Sequence, residues 1–123
     1  MAIYYGFSDL EDVAREFGGY NWETREVSTP SELFPTENEV LFALYATPAW
    51  EGYAFVLFRK DGELYEVHGS HCSCYGLEDQ WSPERTSVDY LQKMIDEDRR
   101  PWYDDGEYGQ VAWDDFVEVV KSL

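Results

Sequence analysis

Apolar positions recur with a helical period near both ends of this chain and with strand-like density in its middle. Leu10, Val13, Ala14 and Phe17 stand at the i, i+3, i+4, i+7 spacing that lines one face of a helix. Asp9, Glu11, Asp12 and Glu16 fall on the wet side of the same helix. Ser8-Asp9-Leu10-Glu11 reads as a capping box, the Ser8 hydroxyl and the Glu11 carboxylate satisfying free amides of the first turn. Gly18-Gly19 stops the run, so the pattern predicts a helix over Asp9 to Phe17. Near the other end, Trp113, Phe116, Val117 and Val120 repeat the helical stripe with Asp114, Asp115 and Glu118 opposite, which predicts a helix from Val111 to Lys121.

Between them the period changes. Tyr20 to Asn38, interrupted by Pro30 and Pro35, reads as a long connection with one turn at Ser31 to Phe34. Val40 to Tyr45 and Tyr53 to Arg59 are short runs of aromatic and branched residues, as strands require. Asp61-Gly62 is a two-residue hairpin signal because a type I′ turn needs positive φ, and it leads into a third strand, Glu63 to His68. Gly69 to Trp81 carries little periodic signal. Ser82-Pro83-Glu84 and Thr86 to Asp89 are two helix-start signals, and Val88, Leu91, Met94 and Ile95 give the buried side of a helix ending near Asp98, with Pro101 beyond it. The expected fold is a single α+β domain over residues 1–123. Its three-stranded or slightly larger antiparallel sheet carries about three helices on one face.

Composition places the charge on a folded body. Hydrophobic residues are 44% of the 123 and aromatics 18%, far too much for a disordered acidic tail. Yet 26 Asp and Glu face 9 Lys and Arg, a net charge of −17. Such a surface repels nucleic acid and anionic membranes and favours a protein partner with a basic surface. Duplex DNA carries one negative charge per roughly 1.7 Å, so a small protein studded with carboxylates resembles a short duplex to a basic groove. No segment approaches the roughly 18 apolar residues of a membrane span, and the N-terminus lacks a basic flank before an apolar run. Cys72 and Cys74 are too close in sequence for an unstrained bridge. Reduced thiols and the absence of a leader lead to a cytoplasmic expectation.

The acids concentrate late in the chain. From Asp96 to Glu118 there are nine, against Arg99 and Arg100. Asp104, Asp105, Glu107, Asp114, Asp115 and Glu118 are the expected partner-binding stripe, with Trp102 and Tyr103 as aromatic anchors of the kind found in interaction hot spots. Trp50, near Pro48 and Gly52, is a second candidate anchor.

Chemistry-bearing residues gather in one other place. His68, His71, Cys72 and Cys74 supply four soft or borderline donors within seven residues, a zinc set by residue type. Their spacing argues against it, since adjacent His71-Cys72 and a Cys-x-Cys leave little chain to wrap tetrahedrally around one ion. A Cys–His nucleophile is the other sharp reading, but the acidic field raises thiol pKa values where catalysis needs them lowered. The plainer reading has small thiols filling space beneath a tight turn. Neither a Walker loop nor Gly-x-Gly-x-x-Gly occurs, so no nucleotide or other cofactor is implied. Nothing singles out a carboxylate pair for hydrolysis, so no catalytic residue is assigned and the chain is expected not to be an enzyme.

The segment Gly69-Ser70-His71-Cys72-Ser73-Cys74-Tyr75-Gly76-Leu77-Glu78-Asp79-Gln80-Trp81, followed by Pro83-Glu84, resembles a motif in small proteins of bacteriophages and bacteria that carry no assigned activity. The likeness covers about 20 residues and marks His71, Cys72, Cys74, Tyr75 and Trp81 as a structural or functional turn. It implies a phage-type origin, and an acidic protein of this size is similar to phage inhibitors that imitate DNA to block restriction or CRISPR enzymes. The expectation is therefore a non-enzymatic acidic inhibitor, monomer or homodimer, occupying the basic groove of a nucleic-acid-binding protein. The alternatives are a metal- or thiol-dependent protein using the His68 to Cys74 turn, or an acidic interaction module.

Overall fold

The computed structural model describes residues 2–18, 20–21, 23–27, 33–47, 51–72, 76–102 and 108–123. In chain order the elements are β1 (Ile3–Tyr5), α1 (Leu10–Gly18), β2 (Tyr20–Asn21), β3 (Glu26–Val27), β4 (Val40–Ala46), β5 (Gly52–Lys60), β6 (Glu63–His71), β7 (Glu84–Thr86), α2 (Val88–Asp96) and α3 (Gly109–Lys121). A 3-10 turn at Glu37–Glu39 leads into β4. The fold is α+β, as the sequence pattern predicts.

β4, β5 and β6 form the expected antiparallel meander. Asp61 and Gly62 make the tight turn between β5 and β6 with φ of 53° and 81°, the positive pair that a type I′ turn demands. Two further strands enlarge the sheet to the order β1-β4-β5-β6-β7. β7 adds antiparallel to β6, and β1 adds parallel to β4 with Ile3 opposite Phe42. The sheet is therefore mixed rather than antiparallel. Parallel neighbours need a crossover, and the segment between β1 and β4 that contains α1 supplies it.

The helices cover both faces of the sheet, not one. The reason lies in the central strands, whose alternate residues are apolar on both sides. Phe42, Leu44, Phe55 and Leu57 pack with Leu91 and Met94 of α2, with Trp113, Phe116 and Val120 of α3, and with Trp102. Ala43, Ala54, Val56, Phe58 and Val67 pack on the other side with Val13 and Phe17 of α1 and with Phe7, Leu77 and Trp81. A strand buried on both faces reads as a continuous apolar run and requires two covering layers. A bulge between Val40 and Phe42 resets the alternation, so Val40 joins the α1 side.

Several boundaries differ from the sequence expectation for local reasons. The α1 cap is Asp9, not Ser8: the Asp9 carboxylate accepts from the Asp12 amide at 2.9 Å, and the Asp12 carboxylate accepts from the Ser8 amide at 2.9 Å. Glu84 lies on β7 instead of starting a helix, because Glu84 to Thr86 closes the free edge of β6 opposite Glu66 to Leu64. Ser87 then caps α2, accepting from the Tyr90 amide. α2 ends as Asp98 turns to φ 53°, with the Arg99 amide donating to Met94 and the Asp98 amide to Ile95, the bond pattern of a Schellman motif with aspartate in the glycine position. The connection Tyr20 to Asn38 holds the small β2–β3 pair and the 3-10 turn. Ser31 and Glu32 of the turn expected at Ser31 to Phe34 lie outside the described residues. Among the described residues no helix is long and apolar enough to cross a membrane.

Candidate functional site

β6 decides what the histidine and cysteine cluster can do. Side chains alternate faces along a strand, so His68 and His71 point to opposite sides of the sheet: His68 lies against Phe55 and His71 against Tyr45. These two donors cannot share one ion, which corrects the four-donor set His68, His71, Cys72 and Cys74. Cys74 and Tyr75 lie outside the described residues, among which no group of three or more His, Cys, Asp or Glu is placed to hold a metal.

His71 Nδ1 meets the Cys72 carbonyl at 2.8 Å. A carbonyl only accepts, so Nδ1 carries the proton and Nε2 accepts from the Tyr45 hydroxyl at 2.5 Å. Burial, together with the charges of Glu16 and Glu78, pushes the Tyr45 phenol up to about 12, which keeps it a donor. With both nitrogens occupied, this imidazole is not available to activate a thiol. The Cys72 residue is exposed, not packed beneath the turn as the sequence suggested. Gly52 faces His71 across the β5–β6 ladder, and a Cβ there would stand 2.1 Å from Nε2.

The described part of the Gly69 to Trp81 motif acts as a plug on the α1 side. Leu77 is fully buried, and Trp81 packs among Phe17, Phe34 and Phe58. Gln80 fastens the segment to the sheet, accepting from the Ser70 amide at 2.8 Å and donating to the Gly76 carbonyl at 3.1 Å.

The late acidic region divides between surface and core. Asp114 and Glu118 are exposed on α3, and Gln110 donates to Asp114 at 3.0 Å. Asp115 is half-buried and accepts from the Tyr5 hydroxyl, which burial and this bond push up to about 12. Trp102 is 7% exposed and stacks on Phe42, so it is core and not an exposed anchor. Tyr103, Asp104, Asp105 and Glu107, like Trp50, lie outside the described residues.

One charged pair escaped the sequence reading. Glu66, 6% exposed, meets His68 Nε2 at 2.9 Å, on the sheet face that carries α2 and α3. Burial works to raise the Glu66 carboxyl, but the His68 ring and the nearby Thr86 hydroxyl outweigh it and hold it below its ordinary value. The Glu66 bond raises His68 against burial, and the Pro101 carbonyl and the Glu84 charge act in the same direction. The paired carboxylate therefore favours the protonated ring over the neutral one. Glu84 stands directly opposite Glu66 across the strands and lines with it a groove of about 500 Å³ that reaches Ser87 and Tyr90. Like charges directly opposite are unfavourable, and His68 is the cation that offsets them. An acid two residues before a histidine in a strand was the available signal, since that spacing puts both on one face. Comparison with protein-family models, curated proteins and solved structures returned no match, so the chemistry of these residues carries the functional reading.

Proposed function

We propose that this chain is a non-enzymatic acidic binding protein, of the kind phages use as inhibitors in the host cytosol, and that its negative surface occupies the basic groove of a nucleic-acid-binding protein. The observation that carries the reading is the outward face of α3. Asp114 and Glu118 are exposed one turn apart there, about 6 Å along the axis, close to twice the roughly 3.4 Å of axial rise per phosphate on one DNA strand. Arg15, Lys60, Arg85 and Arg99 are each spent on a neighbouring carboxylate, while 26 acids compete for 9 cations in the whole chain. With Trp102 and Trp113 buried in the core and Val111 exposed beside the acids, the affinity offered by this face comes chiefly from charge. The likeness of the Gly69 to Trp81 motif to phage proteins supports the same reading.

The test is capture of partners from bacterial lysate at low and high salt, followed by competition with duplex DNA. A basic nucleic-acid-binding protein retained at low salt and displaced by DNA is the expected result. Charge reversal at Asp114 and Glu118 together should weaken that complex by at least about tenfold. A partner whose affinity ignores salt, DNA and these reversals would sink the mimicry.

A further inference from the structure

A second groove, of about 520 Å³, reaches His68 between β5 and the stretch that follows α2. Among the described residues its lining holds no carboxylate, whereas the groove beside it carries Glu66 and Glu84 and a third, near β1, carries Glu37. In a chain with 26 acids this is a marked local exception. Arg100 and His68 line it instead. Arg100 donates to Gln110 Oε1 at 2.9 Å and lies over the Trp113 ring at 5.1 Å, with no carboxylate partner among the described residues. His68 is the second group, paired at 2.9 Å with Glu66, so its protonation decides whether that pair is neutral or negative. Tyr53, Pro101 and Trp102 supply aromatic and apolar wall, and Ser70 a hydroxyl.

We propose that this groove is a binding site for a carboxylate carried on an aromatic body, with Arg100 holding the carboxylate and Trp102, Pro101 and Tyr53 holding the ring. A guanidinium has five donors in a planar fork that matches a carboxylate, and Arg100 spends one of them on Gln110. His68 Nε2 is engaged by Glu66, so the ring acts through the charge it carries when protonated. The volume lies within the usual range for small-molecule sites, which join apolar walls to a few placed polar groups. A monoanion is favoured over a dianion because the remaining field of the protein, at net −17, opposes every added negative charge. The same field fixes the sign of the salt response: added salt screens the repulsion and strengthens ligand binding, opposite to its effect on a basic protein partner. The site is thus separable by experiment from the acidic-surface reading.

The experiment titrates the isotope-labelled full chain with phenylacetate, phenylacetamide and inorganic phosphate, followed by NMR at about pH 5.5 and about pH 8.5, on either side of an ordinary histidine. Phenylacetate is expected to shift the Arg100, Trp102 and Ser70 signals, more tightly at the lower pH, and the neutral amide and phosphate to bind less well. Arg100→Gln should raise the dissociation constant at least about tenfold, a loss of about 1.4 kcal/mol. Arg100→Lys, which keeps the charge and the fold but not the fork, should fall between. His68→Gln should remove the difference between the two pH values. Equal binding of the acid and its amide, preference for phosphate, full affinity in Arg100→Gln, or binding that weakens as moderate salt is added would each overturn the site.

Discussion

At Gly52 the chain needs the absence of a side chain. A Cβ there would sit 2.1 Å from His71 Nε2, a distance that forces the imidazole off the Tyr45 hydroxyl. Gly52→Ala should therefore destabilise by about 1–3 kcal/mol, the usual cost of overpacking. Combining it with His71→Gly should cost less than the sum of the two single changes, a non-additivity read from urea midpoints in a double-mutant cycle. The Glu66–His68 pair makes a different residue-scale prediction. The Glu66 carboxyl is depressed from 4.5, so its contribution is present above that value and is lost as pH falls through its folded pKa. The His68 ring is raised from 6.5, so its contribution is complete below that value and is lost as pH rises through its folded pKa. The pair contributes most between the two ordinary values. His68→Gln should flatten the alkaline limb of the stability profile and leave a carboxylate limb, measured by denaturant unfolding across pH. The half-exposed ring keeps the effect modest.

At the scale of elements, the α1 start separates sequence reading from structure by one residue. Asp9→Ala should cost about 1 kcal/mol, as loss of a helix N-cap does, whereas Ser8→Ala should be near neutral because only the Ser8 amide takes part. Thermal melts of the two variants decide between the caps. The central strands, the Asp61-Gly62 turn and the terminal helices were legible because each rests on local periodicity or local φ. β7 was not. Glu84-Arg85-Thr86 has no strand-like alternation of its own, and β6 recruits it by offering unpaired backbone along Leu64 to Glu66. β1 was equally hidden, since a three-residue strand pairing parallel to β4 across a distance of chain leaves no local mark.

Over the whole molecule the charge dominates. Self-repulsion among 26 acids opposes the compact state, and among the described residues four Lys and Arg side chains make five close cation–carboxylate pairs. Raising ionic strength should stabilise the fold, on the order of 1 kcal/mol between low and moderate salt, because the Debye length falls to about 10 Å at 0.1 M. Calorimetric melts in a salt series check it, and a melting temperature unmoved by salt would mean that the charges are already locally balanced. The candidate site was legible only in part. Asp114 and Glu118 stand exposed as the helical period requires, while Trp102, read as an anchor from its acidic neighbours, is drawn into the core by Phe42.

The amino-acid sequence alone determined the helices, the meander, the excess of negative charge and the gathering of histidine and cysteine in one stretch. Each follows from composition or from spacing over a few residues, which a strand or helix converts directly into a face. Tertiary structure alone decided which faces meet. It divided His68 from His71 by the pleat of β6, brought Glu84 of β7 opposite Glu66, carried Pro101 to the His68 ring, and left Arg100 beside a groove whose described lining holds no carboxylate. Those pairings join residues that are distant in the chain or on opposite sides of one strand, and only the paths of the connections set them.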